Sequence, residues 1–215
     1  MESELSADAF WEGEYGEAYL RRNDRPELLE SKRRFFEKNL VGPRFFHPSR
    51  VIEFGSNIGL NLRALRLLGG FTMTDFTGVD INRLAIPQLE GHGFVAHHAS
   101  IADPGRPWGS GYDLALSMGL LIHIEPARLP HAYAALYDAV VPGGLVFIGE
   151  YFSATRRRIE YRGHKDKLWL ADYGGEFWDQ YPDLECIDVG FAWKRDPVAP
   201  QDDVTFWTFR KPGAN

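Results

Sequence analysis

The chain is poor in the groups that several common functions require. Only one of its 215 residues is cysteine, Cys186, which excludes an intramolecular disulfide and a cysteine-based zinc site and fits a reducing compartment. Its surroundings, Leu184-Glu185-Cys186-Ile187-Asp188-Val189, read as strand, so an inert buried thiol is expected rather than a nucleophile. Basic charge is also short. With 24 Lys and Arg against 30 Asp and Glu the net charge is −6, the wrong sign for a nucleic-acid binder, which must neutralise phosphates. The longest apolar run, Leu114 to Ile124, is broken by Ser117 and His123 and is too short to cross a bilayer. The start, Met1 to Ala9, is acidic and polar, unlike a signal or transit peptide, so a cytoplasmic location with no membrane partner is expected. No Gly/Ser-rich or Pro-rich linker divides the chain. Residues 1–215 are therefore read as one domain, with 1–45 as an N-terminal helical extension that can serve as a lid.

What is present is one dense stretch, Arg50 to Asn61. An apolar strand (Val51, Ile52, Phe54) ends in a glycine turn and opens into the helical pattern Leu60, Leu62, Leu65, Leu68. Such a unit brings backbone N–H groups and a helix N-terminus to a ligand at the carboxyl edge of a parallel sheet. Further strands are expected at Phe76–Asn82, Phe94–Ala99, Tyr112–Ser117 and Leu145–Gly149, alternating with helical patterns. The alternation predicts βαβ units and a parallel sheet covered on both faces. Two last strand patterns, Leu184–Trp193 and Val204–Phe209, are close enough to pair antiparallel at the edge. The expected fold is α/β: a Rossmann-like, doubly wound, seven-stranded, mostly parallel sheet with an antiparallel edge hairpin. Ahead of it, Ala9 to Asn23 is rich in rings (Phe10, Trp11, Tyr15, Tyr19), and Pro26 to Leu40 reads as a helix stopped by Gly42-Pro43.

The ordinary ligand of a glycine turn after the first strand is a dinucleotide, which requires Gly-x-Gly-x-x-Gly. Counting from Gly55, Asn57 and Leu60 stand where the second and third glycines belong, so that pattern fails at two of three positions. What remains is Glu53-x-Gly55-x-Asn57-x-Gly59, with an acid, Asp80, ending the next strand. This resembles motif I of the class I S-adenosylmethionine-dependent methyltransferases. The resemblance implies S-adenosylmethionine as cofactor, with Glu53, Gly55, Ser56, Asn57 and Gly59 at its methionine part. Asp80 and Ile81 then lie at the ribose, and Ser100 and Ile101 near the adenine, where Asp103 stands slightly late for the family's acid. Met118 and Gly119, in Ser117-Met118-Gly119-Leu120-Leu121-Ile122-His123, fall under the sulfonium, and Pro142-Gly143-Gly144 is another family feature. A narrower similarity, to methylases associated with pseudaminic acid biosynthesis, covers Phe10 to Gly16 with Tyr19 and Arg22-Asn23. It extends to the turn Ser56 to Leu62, to Tyr161 to Asp166 and to Pro200-Gln201-Asp202-Asp203.

Methyl transfer is an in-line displacement, so the protein chiefly aligns the acceptor and excludes water. His123, beyond the fourth strand, is either a general base or a histidine that satisfies a backbone group. Glu150 and Tyr151 end the fifth strand at the functional edge. The run Arg156 to Lys167 is the one strongly basic stretch; a solvated loop accounts for Arg156 to Arg158, whereas Arg162, His164 and Lys165 suit an anionic substrate. Tyr161 belongs to the same segment, and Tyr15, Tyr19 and Arg22 are expected to close the cleft from the N-terminal side. His123, Glu150 and His164 are thus the catalytic candidates. A metal site from these with Asp166 lacks helical ligand spacing, and none is expected. The expected activity is methyl transfer to a small anionic metabolite; a catalytically silent cofactor-binding sensor or scaffold is the alternative.

Overall fold

The structure is a computed structural model that describes residues 6–23, 25–41 and 47–213; the Gly42-Pro43 helix stop lies outside them. Three helices come first: α1 (Ala7–Glu12), α2 (Glu14–Asn23) and α3 (Pro26–Phe36), the last continuing as a π turn through Val41. The Ser6 hydroxyl caps α1 by accepting from the Ala9 N–H. Pro26 opens α3, where its missing donor costs nothing, and Glu30 pairs with Arg34 one turn on.

The sheet strands follow the expected order, with a helix after β1, β2 and β4 but none between β3 and β4: β1 (Arg50–Phe54), α4 (Leu60–Arg66), β2 (Asp75–Asp80), α5 (Ala85–Gly91), β3 (Val95–His98), β4 (Tyr112–Met118), α6 (Leu129–Ala139) and β5 (Val140–Glu150). After β6 (Arg157–Tyr161), β7 (His164–Leu170) and α7 (Tyr173–Gln180) come the edge strands β8 (Glu185–Ala192) and β9 (Val204–Arg210). The sheet order is β3-β2-β1-β4-β5-β9-β8. The first five strands are parallel; β9 pairs antiparallel with β5, and β8 antiparallel with β9. The order reverses at β1 and β4, which is where such sheets open a crevice at their carboxyl ends.

Side-chain alternation explains why both faces are covered. Ile52, Phe54, Ala115, Val146 and Ile148 pack with Tyr133 and Leu136 of α6 and Phe177 of α7. Val51, Leu114, Leu116 and Phe147 pack on the other face with Phe35 and Phe36 of α3 and Leu62 and Leu65 of α4. Both β1 and β4 are buried on both sides, hence their near-continuous apolar runs.

Two elements differ from expectation. β5 begins at Val140 rather than Leu145, because Pro142-Gly143-Gly144 is absorbed into the strand at a register shift opposite Tyr112 and Leu114. The Gly143 N–H is taken by carbonyls of Lys211 and Pro212. The basic run forms no loop: β6 and β7 make an antiparallel hairpin whose two turn residues, Arg162 and Gly163, both have positive φ, +49° and +83°, the conformation a two-residue hairpin turn demands. Arg157 and Arg158 ride exposed on β6, and Arg156 pairs with Glu176 of α7. No helix among the described residues is long and apolar enough to cross a membrane.

Candidate active site

The carboxyl ends of β1, β2, β4 and β5 open into one cleft of about 1020 Å³. Its floor is the turn after β1. Gly55, Asn57 and Gly59 all have positive φ, +68°, +51° and +74°, so the chain reverses tightly, a path that favours glycine and tolerates asparagine. The turn is stapled to β2: the N–H groups of Gly55 and Ser56 donate to the Val79 carbonyl at 2.8 and 3.1 Å.

Asp80 is the centre of the polar end. Its Oδ2 accepts from the Asn57 N–H at 2.7 Å and its Oδ1 from the Asn82 N–H at 2.8 Å. Burial pushes its pKa up, and these two bonds pull against the shift. Each oxygen keeps further acceptor capacity where it faces the cleft. Of the candidate cofactor residues, Gly55, Ser56, Asn57, Asp80, Ile81, Ser100, Ile101, Met118 and Gly119 line the cleft.

Two of the expected cofactor residues do not. Glu53 is buried beneath the turn, where its Oε1 accepts from Asn61; burial pushes its pKa up to about 8, and Oε2 has no partner among the described residues. Gly59 also faces inward: a Cβ there would come within 2.9 Å of Leu89 and 3.0 Å of Phe94. Both residues shape the turn and neither lines the cleft. Unforeseen lining residues include Asn61, Asn82, Trp11 and Lys32. The Asn82 Nδ2 donates to the Trp11 carbonyl at 3.1 Å, which ties α1 to the cleft; its place two residues after Asp80 was the only sequence signal.

The catalytic candidates divide. His123 lines the cleft, 8% exposed, with its ring 4.5 Å from Trp11 and 5.2 Å from Tyr161. Its Nδ1 lies 2.7 Å from the Lys167 carbonyl. A carbonyl only accepts, so Nδ1 carries the proton and Nε2 keeps its lone pair. Burial pushes the His123 pKa down to about 4, which leaves the imidazole neutral at neutral pH.

Glu150 is fully buried and lies outside the cleft lining. Its Oε1 accepts from the N–H groups of Leu120 at 3.0 Å and Leu121 at 2.8 Å, and burial pushes its pKa up to about 8. It positions the turn that carries His123. His164 is exposed and packs against Phe10 and Tyr15 at 4.8 and 5.3 Å, and neither it nor Lys165 reaches the cleft lining. Among the described residues of the hairpin, Tyr161 and Arg162 are the ones brought inward.

On the N-terminal side Tyr19 and Arg22 line the cleft, as does Tyr151 at the end of β5. Tyr15 instead stacks on Phe10 at 4.3 Å behind them. Asp103 is engaged by Arg128 at 2.7 Å, and the same arginine holds Asp8 of α1 at 2.6 Å. The Asp166 side chain lies outside the described residues. Cys186, half-buried on β8, has its thiol pKa raised by burial.

A doubly wound sheet, a cleft at its switch point and acceptors at Asp80 and Ser100 beside the apolar walls of Ile81 and Ile101 define a nucleoside-binding α/β protein. The residues suit S-adenosylmethionine in particular: Asp80 offers paired acceptors to a ribose, and at Gly119 a Cβ would meet nothing within 4 Å, so the backbone is open to close approach. A family model described as a methyltransferase domain matches residues 20–185. The chain belongs to that family and is an S-adenosylmethionine-dependent methyltransferase.

Solved structures share the fold. The N-methyltransferase NodS of Bradyrhizobium japonicum WM9, in complex with S-adenosylhomocysteine, is 16% identical with a TM-score of 0.62, over 89% of this chain and 91% of NodS. The 1,6-didemethyltoxoflavin-N1-methyltransferase of Burkholderia thailandensis is 15% identical with a TM-score of 0.59, over 99% and 93%. TehB of Haemophilus influenzae is 19% identical with a TM-score of 0.58, over 84% and 67%. No curated protein matches the chain.

Proposed function

We propose that this methyltransferase acts on a small anionic metabolite, such as a carboxylated sugar, an amino acid or a phosphonate. The observation that carries the proposal is at the cleft mouth. Arg22 lies over the rings of Tyr15 and Tyr19 at 5.3 and 5.4 Å, and Arg162 over Tyr161 at 5.8 Å. Neither guanidinium meets a carboxylate among the described residues, in a chain of net charge −6. Two arginines held on tyrosine faces, with their forks unspent, suit a carboxylate or phosphonate. The narrower likeness to methylases associated with pseudaminic acid biosynthesis belongs to this proposal and rests on the residues quoted for it.

In this reading Asp80 holds the ribose hydroxyls, Ser100 and Ile101 flank the adenine, and Ser56, Asn57 and Gly119 face the amino-acid part. Bound there, the cofactor supplies an electrophilic methyl group on sulfur. The chain's own residues do the rest. Trp11, Tyr19 and Tyr161 close over the cleft and exclude water, with 1–45 acting as the lid of a single domain. Tyr151 and the lone pair of His123 Nε2 orient an acceptor hydroxyl or amine. A base with a pKa near 4 is weak, so His123 acts mainly by position. An acceptor that is already ionised needs only alignment.

The test is incubation with labelled cofactor and a panel of anionic and neutral metabolites, read by mass. Anionic members gain the label, and Arg162→Ala raises KM for them by roughly 10–100-fold with S-adenosylhomocysteine affinity unchanged. Labelling confined to neutral acceptors, or an unmoved KM, rejects the anionic class.

A further inference from the structure

Lys32 is a cation of the cleft outside the recognition segments above. Lys32 lies on α3 and lines the cleft on the side toward β9. Its ammonium has no hydrogen bond or ion pair with any described residue. Burial pushes its pKa down, and the nearby carboxyl groups of Glu53 and Asp202 pull it back up. Asp202 also acts on the Tyr151 phenol, whose pKa is raised by burial and by the Asp202 charge.

The helix position that carries the lysine is fixed. The neighbouring Ser31 hydroxyl donates to the Pro200 carbonyl, and the buried Gln201 donates from Nε2 to Ser31 Oγ at 2.8 Å. One turn on, Phe35 packs edge-on against Phe147 and Phe206 at 6.0 and 5.6 Å. A half-buried ammonium held in place and short of a contact partner is stabilised by an anion that enters the cleft. Pro200-Gln201-Asp202, singled out in the sequence and otherwise without a role, is the segment that clamps it.

We infer that Lys32 is the carboxylate receptor of the cleft, its ammonium taking a carboxylate that a ligand brings in. The inference rests on the methyl-transfer reading and adds a charge contact on α3 to it. The carboxylate has two sources, the amino-acid end of the cofactor or the acceptor. Calorimetry on the full chain separates them with three probes: S-adenosylhomocysteine, 5′-methylthioadenosine, which lacks the amino-acid part, and glucuronate added to the S-adenosylhomocysteine complex.

If the cofactor supplies the group, Lys32→Met weakens S-adenosylhomocysteine about 10–100-fold and leaves methylthioadenosine unchanged. If the acceptor supplies it, both nucleosides bind as before and the wild-type affinity for glucuronate is lost. Lys32→Arg retains most of the affinity in either case. Methylthioadenosine doubles as the folding control, and Lys32→Gln replaces the Met variant if that control drops. Unchanged binding of all three probes overturns the inference. A wild-type chain that binds neither nucleoside instead sinks the methyl-transfer reading, and Lys32 with it.

Discussion

Glu150 and His123 show how burial alone can reassign a residue. Both stand at the functional edge, but only His123 meets the cleft, while Glu150 turns inward and spends one oxygen on the N–H groups of Leu120 and Leu121. Its other oxygen has no partner among the described residues, which favours the protonated acid. The folded pKa, about 8, lies above the ordinary 4.5. The stability Glu150 contributes is therefore complete below pH 4.5 and drains away as pH rises toward 8. His123 works in the opposite direction: its folded value, about 4, lies below the ordinary 6.5, so its contribution is complete above 6.5 and is lost as pH falls toward 4. Glu150→Gln keeps an acceptor for the two N–H groups and removes the titration. Urea unfolding at pH 5, 6.5 and 8 is expected to give a flatter alkaline side for this variant, by an amount on the order of 2 kcal/mol. A profile that matches wild type refutes the assignment.

Among the elements, the turn after β1 and the β6–β7 hairpin make a contrast. The turn was legible because its signals are local: an apolar strand, a glycine reversal and a leucine-spaced helix follow one another within a dozen residues. What the pattern could not say is which glycine serves the ligand and which serves the packing. Gly59 faces Leu89 and Phe94 at a φ of +74°, so Gly59→Ala is expected to lower stability by about 1–3 kcal/mol, seen as a drop in Tm with or without ligand. An effect that disappears when S-adenosylhomocysteine is absent points to a ligand role instead. The hairpin was missed because its charge hid its periodicity. Only the pairing of Tyr161 with His164 across a two-residue turn shows that Arg162 is carried to the cleft and Lys165 is not.

At the scale of the whole molecule, the cleft is assembled from parts far apart in the chain. Asn82 holds the Trp11 carbonyl, Arg128 holds Asp8, and the hairpin presents Tyr161 to the rings of Trp11 and His123 at 6.3 and 5.2 Å. Trp11 is the point where these parts meet. Trp11→Ala is expected to weaken S-adenosylhomocysteine about tenfold and to raise amide exchange across α1 and α2. Unchanged exchange in those helices would mean that they hold their place without it.

The sequence by itself determined the order of the seven sheet strands along the chain, the glycine turn after β1 and the acid at the end of β2, because each is written in periodicity and turn chemistry over a few neighbouring residues. It also carried the methyltransferase identity, through Glu53 to Gly59 with Asp80. Only the tertiary structure decided which side chains meet the ligand. Glu53, Gly59 and Glu150 sit within a residue or two of lining positions, yet a strand's alternation and a helix's packing turn them into the core. Trp11 and Lys32 arrive from helices whose place over the sheet depends on contacts more than a hundred residues apart, and no local pattern encodes that distance.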